Sequence, residues 1–263
     1  MIDWNFSIFD EGFFTLPEDG RIYRDWKEGG HGETNLFKAI TQSSNTYFFD
    51  LAYRSDINQL NKHLSSLGFG GKACIDCFEE DKVFVPEPSW KMNKHNFGWF
   101  KGDTVNMGVG QGYLVSTPIQ LAKYAYIMAN KGKFSDLSLK KDLVKSEKSI
   151  EFNKFSNDDW FKLHESMVNV IEGNTGTARR LRERKNYIVA AKTGTAELVS
   201  GDNREQYSET RLDDSLRDHA LIIAFGPMPN PRYAVSVVVE NGESGGSVAG
   251  PVAISVLNSL IQE

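Results

Sequence analysis

Lys192-Thr193-Gly194-Thr195-Ala196 is the stretch of this sequence best equipped to do chemistry. A lysine ammonium supplies a positive field and two hydroxyls donate to a carboxylate. The glycine lets a ligand lie flat against the backbone. The apolar run Tyr187-Ile188-Val189-Ala190-Ala191 precedes it, so the motif is expected to follow directly on a buried strand. A second polar cluster, Ser43-Ser44-Asn45-Thr46, falls between two expected helices. Serine and asparagine there serve as helix caps, and they are also groups that relay a proton and hold an amide. Taken alone, one motif reads first as a strand-to-turn junction and the other as a cap. Together they supply the polar parts of an acyl-transfer site.

The elements that must position these groups follow from periodicity. Residues 1–33 are rich in aromatics and turn formers, which points to extended segments and loops. Thr34 is the expected cap of a helix beginning at Asn35, with further helices over Thr46–Tyr53 and Ile57–Leu67. Residues 70–105 read as irregular. Thr117-Pro118-Ile119-Gln120 reads as a capping box with proline at the first helical position, and Gly132 as the stop. Residues 133–156 read as a Lys- and Ser-rich surface excursion, followed by a helix around Trp160–Ile171. Apolar runs at Tyr187–Ala191, Ala220–Phe225 and Tyr233–Val239 predict strands, the last two joined through Gly226–Pro231. A closing helix over Val252–Ile261 carries Ile254, Val256, Leu257 and Leu260. Helices first and a sheet late predict an α+β fold.

Length and composition set outer limits. The 263 residues are 40% hydrophobic and 25% charged, which excludes disorder as the main state. A net charge of −5 with no basic block argues against nucleic acid as the main partner. No apolar run reaches the roughly 20 residues that span a bilayer, and the N-terminus lacks signal-peptide features. Two cysteines make one bridge at most.

In this order the motifs resemble the transpeptidase domain of class B penicillin-binding proteins, nearest the elongation type. Ser43-Ser44-Asn45 matches that family's Ser-x-Asn and Lys192-Thr193-Gly194 its Lys-Thr-Gly. Arg24–Lys27 with Gly30–Gly32, Gly110–Tyr113 leading into Thr117–Gln120, and Gly173–Ala178 extend the match. Asp218-His219-Ala220 and Val239–Gly242 complete it. The resemblance implies a penicillin-binding/β-lactamase-like fold over residues 1–263, truncated at its N-terminus. A helical subdomain is expected over roughly 34–180 and a sheet-forming part over roughly 185–263. It implies that Ser43 relays the proton, Asn45 holds the substrate amide and Lys192 sets the field. Thr193, Gly194 and Thr195 would take the terminal carboxylate and line the strand edge. The implied ligands are a peptidoglycan stem peptide ending in D-Ala-D-Ala and β-lactams, and the implied partners are proteins of the elongation machinery. The implied place is the periplasmic face of a Gram-negative inner membrane, reached through an upstream anchor. A D,D-carboxypeptidase, a β-lactamase and a non-catalytic remnant are the rival readings.

The family's nucleophile is the serine of Ser-x-x-Lys, about fifty residues before the second motif. It would stand roughly ten residues upstream of Met1. The one Ser-x-x-Lys here, Ser138-Leu139-Lys140-Lys141, comes after the second motif and reads as accidental. These 263 residues alone are therefore expected to be inactive, with the 233–239 strand an open edge. Some family members hold zinc through two aspartates, a histidine and a cysteine. Asp10, Asp25 and His31 match, but Ser44 stands at the cysteine position. Serine is a poor zinc ligand, so at most a weak site is implied, against the alternative that Asp25 and His31 hydrogen-bond a turn. No other cofactor is expected. Cys74-Ile75-Asp76-Cys77 reads as a local disulfide or two free thiols before it reads as a redox site. Gly108–Gly112 reads as a tight turn before it reads as a phosphate loop.

Overall fold

Aromatic residues punctuated by glycines give short antiparallel ribbons at the start of the chain. In the computed structural model, which describes residues 3–143, 147–150, 155–198 and 214–262, β1 (Ser7–Asp10) pairs with β4 (Gly32–Asn35), and β2 (Phe13–Thr15) with β3 (Ile22–Arg24). Gly30, at φ +69°, approaches β1 so closely that a Cβ would lie 2.2 Å from the Asp10 carbonyl oxygen. Only glycine permits that contact, and it sets His31 beside Asp10.

The chain divides into two compact units. One comprises Met1–Gln120 with Ser135–Ile150, the other Leu121–Phe134 with Glu151–Glu263. These bounds depart from the 34–180 and 185–263 division expected above.

In the first unit, α1 (Leu36–Gln42) is capped by Asn35, whose side chain accepts from the Lys38 N–H. Thr34 lies in β4 and its hydroxyl instead donates to the Gly32 carbonyl at 2.9 Å, so the cap falls one residue later than predicted. Next come α2 (Asn45–Arg54) and α3 (Ile57–Ser66). The stretch expected to be irregular holds two helices, α4 (Pro88–His95) and α5 (Lys101–Gly108). Leu16, Tyr23, Phe49 and Val105 form the buried core here. Cys74 and Cys77 are joined in a disulfide, and the Asp76 carboxylate between them accepts from the backbone of Leu139 and Lys140 and from the Ser138 hydroxyl.

The Thr117–Gln120 box is made reciprocally, Gln120 N–H to Thr117 Oγ1 and Thr117 N–H to Gln120 Oε1. It opens α6 (Pro118–Ala129), which stops ahead of Gly132 at φ +85°. The two-residue strands β5 (Lys133–Phe134) and β6 (Lys148–Ser149) lie in the predicted surface excursion, part of which falls outside the described residues.

In the second unit, α7 (Asn157–Glu172) begins with a Ser156/Asp159 capping box. A three-stranded antiparallel sheet follows in the order β7-β8-β9, with β7 at Ala190–Ala196, β8 at His219–Gly226 and β9 at Tyr233–Val239. The Lys192–Ala196 motif lies within β7, not after it as predicted, because β-branched Thr193 and Thr195 pair comfortably with Ile222 and Ala220. Helix α8 (Gly250–Gln262), entered through a π-helical turn at Gly245–Ala249, packs Ala253, Ile254 and Leu257 into the core. Val256, predicted on that stripe, is 40% exposed. Among the described residues β7 and β9 each have a strand on one side only. No helix among those residues is long and apolar enough to cross a membrane.

Candidate active site

The Ser-x-Asn motif occupies the tight corner between α1 and α2. Ser43 ends α1 in the left-handed conformation (φ 58°, ψ 46°), a position glycine usually takes. A non-glycine residue held there is strained, and such strain gathers at functional sites. The Ser43 and Gln42 carbonyls both accept from the Trp26 indole N–H, at 2.9 and 3.2 Å, which pins the corner. Ser44 caps α2 and is fully buried, and Asn45 is the first residue of α2, half-buried.

Two carboxylates hold the start of α2, where the helix dipole favours negative charge. Asp25 Oδ2 accepts from the Thr46 N–H at 2.9 Å and from its hydroxyl at 3.2 Å. Asp10 Oδ2 accepts from Ser44 Oγ and faces His31 Nδ1, both at 2.7 Å. Burial alone would raise the Asp10 pKa, but the bonds from Ser44, the Gly12 N–H and His31 outweigh it and hold the carboxyl below its usual range.

Asp10, Asp25 and His31 thus meet, each offering a donor atom within 4.8 Å of the others. The donors do not suit zinc. Ser44 is already engaged at both ends, donating to Asp10 and accepting from the Tyr47 N–H at 3.2 Å. The His31 Nε2 is buried with no hydrogen-bond partner among the described residues. The ring's other nitrogen, Nδ1, is spent on the Asp10 carboxylate. With an already engaged hydroxyl in the place of a fourth donor, the residues present do not complete a zinc site.

The Lys-Thr-Gly motif lies in the other unit, on β7. Lys192 Nζ donates to the Thr193 carbonyl at 2.8 Å. Burial of the ammonium lowers its pKa from 10.5 to about 8. Thr193 and Thr195, two apart on a strand, face the same side. Thr193 Oγ1 lies 2.7 Å from Thr177 Oγ1, which comes from the Gly173–Ala178 loop after α7. Sequence reasoning matched that loop to a family pattern without giving Thr177 a part, and no local signal pairs residues sixteen apart through their hydroxyls. Ser138, of the stray Ser-x-x-Lys, spends its hydroxyl on the Asp76 carboxylate at 2.8 Å.

Helices flanking an antiparallel sheet whose edge strand bears Lys-Thr-Gly give the architecture of penicillin-binding transpeptidase domains. A family model described as the penicillin binding protein transpeptidase domain matches residues 1–258, and the chain belongs to that family. The peptidoglycan D,D-transpeptidase MrdA of Haemophilus influenzae is 36% identical over 271 residues, taking in 100% of this chain and 42% of that protein. MrdA of Acinetobacter baumannii is 38% identical over 258 residues, 95% of this chain and 38% of that one. Among solved structures, Pseudomonas aeruginosa PBP2 in complex with WCK 5153 matches with a TM-score of 0.87 at 34% identity, over 100% of this chain and 57% of that one. A Helicobacter pylori complex between PBP2 and MreC matches at 0.85 and 31%, over 99% and 46%. The chain spans less than half the length of these curated relatives.

Proposed function

We propose that this chain forms most of the acyl-transfer site of a peptidoglycan D,D-transpeptidase, which cross-links stem peptides and is acylated by β-lactams. The single observation that carries the reading is β7. A lysine with a lowered pKa, two same-face threonines and a glycine stand on an edge strand inside a family-wide match. The attacking hydroxyl comes from a serine in a segment preceding these residues. It adds to the carbonyl of the penultimate D-Ala, and its proton passes through Ser43 to the nitrogen of the departing terminal D-Ala. An acceptor amine then displaces the serine to form the cross-link. Asn45 holds the substrate amide, and Lys192 in its ammonium form supplies the field around the relay. Thr193 and Thr195 bind the terminal carboxylate, with Thr177 orienting the Thr193 hydroxyl. The Thr195 N–H gives half of the oxyanion hole. No step passes through a metal ion, because Asp10, Asp25, His31 and Ser44 act as a hydrogen-bonded hub under the Ser43–Asn45 corner.

The complete protein works at the outer face of an inner membrane, with elongation proteins of the MreC kind as partners; MrdA and PBP2 likenesses support both assignments. The test is the rate of acylation by a fluorescent penicillin. Ser43→Ala, Asn45→Ala and Lys192→Ala in the full-length protein each slow it by roughly 10²-fold or more. Wild-type rates in all three variants overturn the reading, and rapid turnover of a chromogenic cephalosporin replaces it with a β-lactamase.

A further inference from the structure

Two motifs without a part in that chemistry, Asp218-His219 at the start of β8 and Asn241-Gly242 after β9, meet at one end of the sheet. The Asn241 backbone N–H donates to His219 Nδ1 at 3.0 Å, and its side-chain amide donates to the Ser215 and Arg217 carbonyls, both at 2.9 Å. Two residues on, the Glu243 N–H donates to the Asp218 carbonyl at 2.8 Å. The Glu243 carbonyl in turn accepts from Thr195 Oγ1 at 3.4 Å. Gly245 then lies so close to the sheet that a Cβ would sit 2.2 Å from the Leu221 oxygen and 2.6 Å from the Gly194 oxygen.

The backbone is forced to make this return. Asn241 (φ 56°) and Glu243 (φ 60°) are both left-handed non-glycine residues, separated by one residue. Asparagine tolerates that conformation far better than most residues, but glutamate gains nothing from it. Strain of this kind persists where the surroundings over-determine it and is concentrated at sites that need a fixed geometry. Here the return brings the Glu243 carbonyl to the Thr195 hydroxyl. At 3.4 Å its bond to the carbonyl is at the weak limit, so a carboxylate oxygen arriving at β7 takes the proton's hydrogen bond at shorter range with charge assistance.

We propose that Asn241 is a positioning residue for carboxylate recognition. It anchors the 241–245 turn, whose Glu243 carbonyl and Gly245 backbone set Thr195 on β7. This rests on the assignment of Thr195 to the substrate carboxylate.

The test compares, in the full-length protein, second-order acylation rates for a penicillin with a free carboxylate and for its methyl ester. In Asn241→Ala the acid rate falls about tenfold, the loss of one misplaced charge-assisted hydrogen bond, while the ester rate stays within about twofold of wild type. Asn241→Gly keeps the left-handed backbone without the two amide anchors, and loses about threefold on the acid alone. If acid and ester fall together, or neither changes in either variant, the proposal is overturned. Failure of the underlying reading looks different: the wild type itself is not acylated, or acylates acid and ester equally.

Discussion

Burying an ammonium costs free energy, and Lys192 answers that cost by releasing its proton near pH 8 instead of 10.5. The unfolded chain then holds more protons than the folded one between those values, so stability rises with pH through that window. Relative to Lys192→Met, the wild type should gain melting temperature from pH 8 to 10; a constant difference would refute the assignment. Because the ammonium form supplies the field, penicillin acylation should decline above about pH 8, and Lys192→Arg should move that limb to higher pH. Ser44 stands where the zinc site implied by the resemblance would need a cysteine. Wild-type protein should carry almost no zinc and melt unchanged with chelator, whereas Ser44→Cys should hold about one zinc per chain and melt lower once it is stripped. Stoichiometric zinc in the wild type by elemental analysis would contradict this. The residue types at these positions were readable from sequence. That Ser44 is spent on Asp10 and Tyr47, and Thr177 on Thr193, was not, because those bonds join residues far apart in the chain.

Elements were legible where their signals are local. Helix α6 announces itself through Thr117, Pro118 and Gln120, all within four residues. Thr117→Ala should cost about 1 kcal/mol in urea unfolding, and no change in midpoint would show that the box is incidental. Helices α4 and α5 were missed for the opposite reason. Glu87 makes no side-chain cap bond, and α4 is polar at Lys91, Asn93, Lys94 and His95. It is held instead by tertiary contacts, the Lys91–Asp103 ion pair and the packing of Trp90 on Phe84 and Tyr113. Asp103, which serves that pair, also accepts from the Phe100 N–H and so fixes the start of α5. Strand β7 begins later than its apolar approach suggests, because Tyr187–Val189 looks more strand-like than the motif that forms most of the strand.

For the molecule as a whole, the α+β class followed from three apolar runs late in the chain, and the family followed from motif order. The division into two units was hidden, since the chain leaves the first at Gln120 and returns to it at Ser135. The exposed apolar residues Val252 and Val256 on α8, together with the side of β9 that carries no strand among the described residues, predict that residues 1–263 expressed alone self-associate. Sedimentation should show this. A well-behaved monomer from residues 1–263 would count against that view. The proposed function requires a serine nucleophile outside residues 1–263. Its most direct test is mass-spectrometric mapping of the penicilloyl adduct on the full-length protein. A single adduct is expected on a Ser-x-x-Lys serine about fifty residues before Ser43. An adduct on Ser43, Ser138 or any other residue of this chain would contradict it, as would no adduct at all.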